Sequence, residues 1–376
     1  MMTTGAPIPT EPSSSLKYLQ RLVEPTGPSG SEEDVIRLVA ELARPLCDEL
    51  TVDPMGNVIA IRRAADEQAR WCIISAHMDE VGFRVSYIGP DGFLRLEKVS
   101  GLDDRILPAL RVWIRTATER LVGVVGCTSV HLLTEADRRT IVPYSDLYVD
   151  IGASSAQEVA TMGVSIGDPV GFVGSLTELG KRSGRFTAHG LDDRAGCAIL
   201  LALLESFQDA PPPVTLVALF SVQEEVGVRG AQAAAQHLRG DVALALDMTA
   251  ADDTPEMSRQ RLRLGKGPTV KVMDFSTLVH PAVRRGLLAS AERCGLTVQH
   301  ELLKGIGTDA GALQYAGGGT PTGAVSVGNR YTHSPVEVLD SRDMEGALTL
   351  LHAFVEDLPD LDLRFVALDD APAQKN

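Results

Sequence analysis

The chain is short of cysteine, with five, at positions 47, 72, 127, 197 and 294. The number is odd and no two form a CxxC pair, so a disulfide framework is not expected. Cys72, Cys197 and Cys294 sit in apolar or helical contexts and read as buried free thiols. Cations are scarce too: 35 Lys and Arg stand against 50 Asp and Glu, a formal net charge of −15 at pH 7. A surface of that sign draws in neither nucleic acid nor an anionic membrane, which argues against both as partners. No apolar run approaches the roughly 18 residues needed to span a bilayer. Met1 to Ser15 is rich in Pro, Thr and Ser, with no basic start and no apolar stretch of the kind a secretory signal carries. The expected location is cytoplasmic. Internal repeats and low-complexity arrays are absent as well.

What is present is a globular composition, 44% hydrophobic and 23% charged, over 376 residues. That is more than one ordinary core accommodates, and two domains are expected. Residues 1 to about 12 read as disordered, and Leu16, Leu19, Leu22 and Val23 mark a first amphipathic helix ended by Pro25. Ser29 and Glu32 have capping-box spacing for a helix from Glu33 to Arg44. Leu50 to Arg62 alternates around a turn at Pro54–Asn57 and predicts a hairpin. From Val81 the texture changes to short alternating strands: 83–88 with 93–97, 111–115 with 121–125, and 167–173. These predict a small β-barrel or sandwich over 81–183, inserted into a surrounding α/β pattern (1–80 and 184–376) of strands alternating with helices. After Ser341 a last helix carries Leu348, Leu351 and Val355 on one face, and the tail from Pro359 is acidic and reads as partly loose.

Function is written where apolar runs stop. Val214 to Phe220 reads as a buried strand, followed by Ser221-Val-Gln-Glu224-Glu225-Val-Gly227 and an Ala-rich helix. Adjacent carboxylates repel unless a positive charge lies near both, and a metal ion is the usual answer. The same punctuation recurs. Trp71 to Ala76 leads into His77-Met-Asp79-Glu80, Val242 to Leu246 into Asp247, and Gly323 to Val327 toward His333. Leu191-Asp192-Asp193-Arg194 precedes a long helix from Ala195 to Phe207. In open α/β sheets ligands bind beyond the carboxyl ends of the strands, so one sheet edge is able to gather all of these.

The candidate metal ligands are His77, Asp192, Glu225, Asp247 and His333, with Asp79 and Glu224 beside them. Two imidazoles and three carboxylates cannot close two separate four-ligand sites. They suffice if one carboxylate bridges, and the positions left open are those a catalytic site needs. Asp79, two residues after His77, is placed to accept that imidazole's second N–H. Glu224, next to a ligand but not needed as one, is the natural general base. Histidine and carboxylate donors suit zinc, cobalt and manganese alike.

These stretches carry a resemblance. Ala76-His-Met-Asp-Glu-Val-Gly-Phe83, Gly190-Leu-Asp-Asp-Arg-Ala-Gly-Cys197, Gln223-Glu-Glu-Val-Gly-Val-Arg-Gly230, Ala245-Leu-Asp-Met-Thr249, Gly307-Thr-Asp-Ala-Gly311 and Arg330-Tyr-Thr-His-Ser-Pro335 follow one another in order. Together they resemble the tetrahedral aminopeptidases, also described as glutamyl-aminopeptidase or endoglucanase-like metallopeptidases, from about residue 16 to 358. The resemblance implies a zinc-exopeptidase-like mixed sheet flanked by helices, with an inserted β-rich domain used in assembly. It implies two divalent metals on His77, Asp192, Glu225, Asp247 and His333, bridged by Asp192, with Glu224 as base and Asp79 as orienting residue. It implies peptide substrates with a free amino terminus and a homo-oligomer, commonly a hollow tetrahedral dodecamer.

The chain departs from the pattern before Leu191: a Gly-Lys-Ala-type approach is usual there, and Phe186-Thr-Ala-His189-Gly190 stands here. His189 reads as a solvent-facing loop residue, with a contact near the site as the alternative. Asp193 reads as a helix N-cap, which leaves Asp192 as the ligand. Asp309 either holds a substrate amine or stabilises its turn. His131, His237, His280, His300 and His352 lack any partner motif and read as surface or core residues. Three other functions remain in view: a deacylase of N-acylated amino acids on the same metal centre, an endoglucanase, and a non-catalytic scaffold. Glycoside hydrolysis needs two carboxylates facing each other across a sugar, whereas here the carboxylates are accounted for as ligands. A dead scaffold would be expected to lack a ligand or the base, and every one is present.

Overall fold

The computed structural model describes residues 13–257 and 261–366. The expected disorder before residue 13 and most of the acidic tail lie outside these residues. Two helices, α1 (Ser14–Leu22) and α2 (Glu33–Ala43), lead into the hairpin β1 (Glu49–Val52) and β2 (Val58–Arg62) and then β3 (Trp71–His77). The chain next builds β4 (Gly82–Ile88), β5 (Leu94–Val99), β6 (Arg111–Arg115), β7 (Arg120–Val125), β8 (Val149–Asp150), α3 (Ala156–Thr161) and β9 (Pro169–Phe172). It returns through β10 (Thr177–Glu178), β11 (Arg185–Ala188), α4 (Leu191–Ser206), β12 (Thr215–Ser221), α5 (Arg229–Ala235) and β13 (Val242–Ala250). The remainder is β14 (Thr269–Met273), α6 (Pro281–Arg293), β15 (Gln299–Leu302), α7 (Ala310–Leu313), β16 (Thr322–Arg330), β17 (Glu337–Asp340) and α8 (Ser341–Asp357).

Eleven strands form one mixed sheet in the order β1-β2-β12-β3-β13-β16-β17-β11-β10, with β14 and β15 branching from β16. Its centre, β12-β3-β13-β16, is parallel. That is why these strands read as continuous apolar runs: both faces of a parallel sheet are covered. Alternate residues serve the two faces. Cys72, Ile74, Leu216, Ala218, Phe220, Val242 and Leu244 join the core under α1, α2, α4 and α8. Ile73, Val217, Leu219 and Ala243 meet Ala234, Ala235 and Leu313 of α5 and α7 on the other. Helix α4 is buried from Leu191 through Leu204, and from Ala195 to Leu204 it is apolar on all sides, as a buried helix is. It packs on α1, α8, β3 and β13.

The inserted strands close into a six-stranded barrel, β4-β5-β8-β7-β6-β9, rather than a sandwich. Phe83, Val85, Leu94, Val112, Ile114, Val149, Val170 and Phe172 fill it. Barrel strands run from Gly82 to Phe172, and β10 already pairs in the large sheet, so the chain rejoins that sheet a few residues before 183. No helix among the described residues is long and apolar enough to cross a membrane.

Two local expectations fail, the first because Ser29 finds a partner distant in sequence. Ser29 and Glu32 form no capping box. The Ser29 hydroxyl donates to Asp79 at 2.6 Å, and Glu32 accepts the amides of Gly30 (2.8 Å) and Gln223 (3.1 Å). Helix α2 starts with no side-chain cap. All five cysteines are free, with Cys72 and Cys197 buried, but Cys294 caps the solvent end of α6 and is exposed.

One buried ion cluster stiffens the β14–β15 branch. The fully buried Lys271 ammonium lies 2.6 Å from Glu301 and 3.3 Å from Asp274, and Thr269 donates to Glu301 at 2.9 Å. Lys271→Met leaves two buried carboxylates without their cation and is expected to cost about 3–5 kcal/mol of stability. Denaturant unfolding measures this, and a loss below about 1 kcal/mol would show that the carboxylates find other partners.

Candidate active site

Each candidate side chain stands at the carboxyl edge of the parallel strands. His77 ends β3, Asp247 lies near the end of β13, and the Glu224–Glu225 pair occupies the turn between β12 and α5. Asp192 sits at the mouth of α4, and His333 in the loop between β16 and β17. Two of these loops bend sharply. Gln223 (φ 55°) and His333 (φ 61°) adopt the left-handed conformation, which costs a non-glycine residue of order 1–3 kcal/mol. Hydrogen bonds from their amides to Glu32 (3.1 Å) and Glu337 (2.7 Å) hold them there.

The side chains converge. His77 Nε2 is 3.2 Å from Asp192 Oδ1 and 3.7 Å from Asp247 Oδ1. His333 Nε2 is 3.0 Å from Glu225 Oε1 and 3.7 Å from Asp192 Oδ2. Asp192 thus turns one oxygen to each imidazole. Polar atoms of His77, Asp192 and Glu225 lie within 4.8 Å of one another, and so do those of His77, Asp193 and Asp247. Asp193 has both oxygens engaged, accepting the amides of Gly196 (3.0 Å) and His77 (3.2 Å). The first of these is the N-cap bond of the regular part of α4, whose helical dihedrals begin after Asp193.

Both imidazoles have their tautomer set by a main-chain carbonyl. His77 Nδ1 donates to the carbonyl of Asp79 at 3.1 Å, and His333 Nδ1 to that of Gly101 at 2.9 Å. A neutral imidazole held this way presents its Nε2 lone pair to carboxylate oxygens, acceptor against acceptor, a conflict that only a proton or a metal ion between them removes. Glu225 Oε1, although 3.0 Å from His333 Nε2, is buried with no hydrogen-bond donor in line. A cation between these atoms resolves the conflict, and the donor set of imidazole and carboxylate is one that divalent metals take. The residues fit such ions.

The electrostatics carry the same mark. Burial raises Asp247 to about 7, with Asp192 adding to the rise and His77 opposing it. Burial works against a charged His333, but Glu225 and Asp192 outweigh it and lift the group to about 10. Burial pushes Glu224 well above the usual carboxylate range, helped by Asp247, Asp309 and Glu225 and opposed by His77. The cluster lacks positive charge, which is what a metal supplies.

Asp79 differs from the sequence expectation in detail. Its carbonyl is the 3.1 Å acceptor from His77, while its carboxylate is 3.5 Å from that nitrogen. The carboxylate instead accepts the amides of Glu224 (2.9 Å) and Glu225 (3.2 Å) and the Ser29 hydroxyl. It positions the Glu pair as well as the histidine. Asp309 is buried and accepts the Ser221 hydroxyl at 2.6 Å, so it braces the end of β12. His189 does not face solvent: it is 2% exposed and bonded to Glu80. His131, His237 and His300 are exposed, His280 meets Phe365 edge-on, and His352 stacks on Phe207.

Three contributors escaped the sequence reading. Ser100 donates to Glu225 Oε2 at 3.1 Å, and Gly101 supplies its carbonyl to His333, both from the loop after β5 of the barrel. Buried Glu337 accepts the amides of Asp192 (3.0 Å) and His333 (2.7 Å), tying those two segments together. No local pattern marks these residues.

The chain is also similar to proteins already known. The lysyl aminopeptidase of Pyrococcus furiosus is 33% identical over 349 residues, covering 92% of this chain and 98% of that protein. An aminopeptidase structure from the archaeon Desulfurococcus kamchatkensis superposes with a TM-score of 0.87 at 36% identity, covering 92% and 96% of the two chains. The TET1 peptidase of Pyrococcus horikoshii, which can assemble into a tetrahedron or a large octahedral shell, superposes with a TM-score of 0.82 at 33% identity, covering 91% and 99%. Residues 56–350 match the family model for M42 glutamyl aminopeptidases, a span that includes the entire converging cluster. With the model matching most of its length and relatives of this identity aligned nearly end to end, the chain belongs to the M42 glutamyl aminopeptidase family.

Proposed function

We propose that the protein is a dinuclear metal aminopeptidase that removes the first residue from peptides with a free amino terminus. His77, Asp192, Glu225, Asp247 and His333 would hold the two ions, with Asp192 offering one oxygen on the His77 side and one on the His333 side. The observation that carries this reading is the pair of imidazole Nε2 atoms, on rings oriented by the carbonyls of Asp79 and Gly101, that converge on the two oxygens of Asp192. Divalent cations there supply Lewis acidity toward a carbonyl and a lowered pKa for water. Zinc or cobalt suits the donors best, with manganese as the alternative.

The chain's own residues do the rest. Glu224, kept basic by burial and neighbouring carboxylates, takes the proton of the attacking water and passes it to the departing amine. The Asp79 carboxylate holds the main chain of that turn, so Glu224 and Glu225 stay directed to separate tasks.

Aminoacyl chromogenic substrates and their N-acetylated counterparts, assayed with each metal after chelation, test the reading. A site that recognises the free amine is expected to reject the acetylated form by at least about 10²-fold. Comparable rates on the acetylated compounds would identify a deacylase instead.

We also propose that the barrel serves in assembly of a homo-oligomer of the hollow tetrahedral kind, one of the two shells that the Pyrococcus horikoshii relative can form. Supporting this, Tyr87, Val122, Val124, Val130, Leu132 and Ile141 in the barrel segment are all more than 40% exposed. Sedimentation of the intact chain at micromolar concentration should show a multimer, and a monomer would refute the assembly role.

A further inference from the structure

Behind the proposed metal ligands lies a second buried polar cluster, Glu80, His189 and Arg194, whose side chains are at most 2% exposed. His189 Nδ1 is 2.6 Å from Glu80 Oε2. Arg194 NH2 is 3.6 Å from Glu80 Oε1, and that same oxygen accepts the amide of Gly27 at 2.8 Å. The rest of the guanidinium is spent on main-chain carbonyls: Nε donates to Met78 at 2.6 Å, and NH1 to Leu22 (2.7 Å) and Pro25 (3.2 Å). None of these groups reaches the reaction centre, and none has a part in the chemistry above.

Their places in the chain give them a purpose. Met78 and Glu80 follow His77, while His189 and Arg194 flank Asp192. The 77–80 turn is therefore fastened to the 189–194 segment at two points, Glu80 to His189 and Met78 to Arg194. Between those fastenings sits the 3.2 Å approach of His77 to Asp192. Gly190 permits the close packing: at φ +58° it has no side chain, and a Cβ there would stand 2.7 Å from Glu80 Oε2. A buried polar cluster is a stiff spacer, because letting any member move leaves another group unpaired in the interior.

We propose that His189 is a positioning residue for the metal centre, acting through Glu80 to hold the His77 and Asp192 segments at metal-binding separation. The inference rests on the dinuclear reading above. Supporting groups of this kind typically change metal affinity by about 10–100-fold when removed.

The test is a competition titration of metal-free protein with a chromophoric chelator, with zinc as the probe, on wild type, His189→Ala and His189→Asn. Asparagine places an amide N–H near the Nδ1 position and keeps a donor to Glu80, which alanine does not. His189→Ala is expected to bind the first zinc about 10–100-fold more weakly, with substrate KM and the turnover at saturating zinc within about twofold of wild type. His189→Asn should recover most of the affinity. Glu80→Gln, which keeps volume and removes the charge, should weaken zinc in the same direction as alanine at 189. If wild type itself binds no zinc, the dinuclear reading fails. If wild type binds zinc and His189→Ala binds it equally well, even with a lowered Tm, His189 is only structural and the inference is overturned. Failure of both His189→Ala and Glu80→Gln to fold would equally assign the cluster to the fold and overturn it.

Discussion

Glu224→Gln is expected to keep the fold and both metals while turnover falls about 10²–10⁴-fold, the usual worth of a general base. The glutamine preserves size and removes only the proton acceptor. Glu225→Ala should behave in the opposite way, weakening one metal site so that excess metal restores part of the activity. The two residues are adjacent and chemically identical, and the structure separates them by environment. Glu225 Oε1 lies 3.0 Å from His333 Nε2 with no donor in line, and its other oxygen accepts the Ser100 hydroxyl. Glu224 feels Asp247, Asp309 and Glu225 as like charges and is pushed toward the range where a carboxylate accepts protons. Metal analysis beside steady-state kinetics of both variants decides the matter. A Glu224→Gln protein that loses metal, paired with a Glu225→Ala protein that keeps both ions, would show the roles reversed.

Asp192→Ala is expected to be more damaging than loss of any other single ligand. Asp192 alone turns an oxygen toward each of His77 and His333, at 3.2 and 3.7 Å, so on the proposed reading its removal strips a donor from both metal positions. It also leaves the two imidazoles without the carboxylate placed between them. Losing Lewis acidity worth several kcal/mol should lower activity by about 10³-fold or more. Metal content should fall from two equivalents toward none, and added zinc should not restore the rate. Asp247→Ala is the control: it disturbs the His77 side only, at 3.7 Å, and should keep about one equivalent. An Asp192→Ala protein that retains two tightly held ions would remove the bridge from the mechanism.

The candidate constellation was legible in the sequence because each member is announced locally. An apolar run that ends in a charged or imidazole side chain is a buried strand meeting the sheet edge, and β3, β12 and β13 obey that rule. Asp247 stretches it, since β13 continues to Ala250 and the carboxylate projects from within the strand. The alternation of 83–88 with 93–97 likewise announced β4 and β5. His189 reads as a loop residue in the sequence because it stands just before a glycine, between a short strand and a helix. Its partner Glu80 lies 109 positions away, and no local pattern predicts a buried pair of that separation.

From the order of residues alone follow the α/β framework, the β-rich insertion, and the chemical inventory of two imidazoles and three carboxylates with Asp79 and Glu224 beside them. These depend on periodicity and on which side chains tolerate a strand end, and both are local properties. The tertiary structure alone decided the barrel over the sandwich and the loss of the Ser29–Glu32 capping box, whose serine turns to Asp79. It also decided which carbonyls set the imidazoles, placing Gly101 of the barrel loop on a histidine 232 positions later. The physical reason is burial: once the sheet edge is enclosed, every buried donor and acceptor must find a partner in space, and the best-placed one is seldom near in sequence.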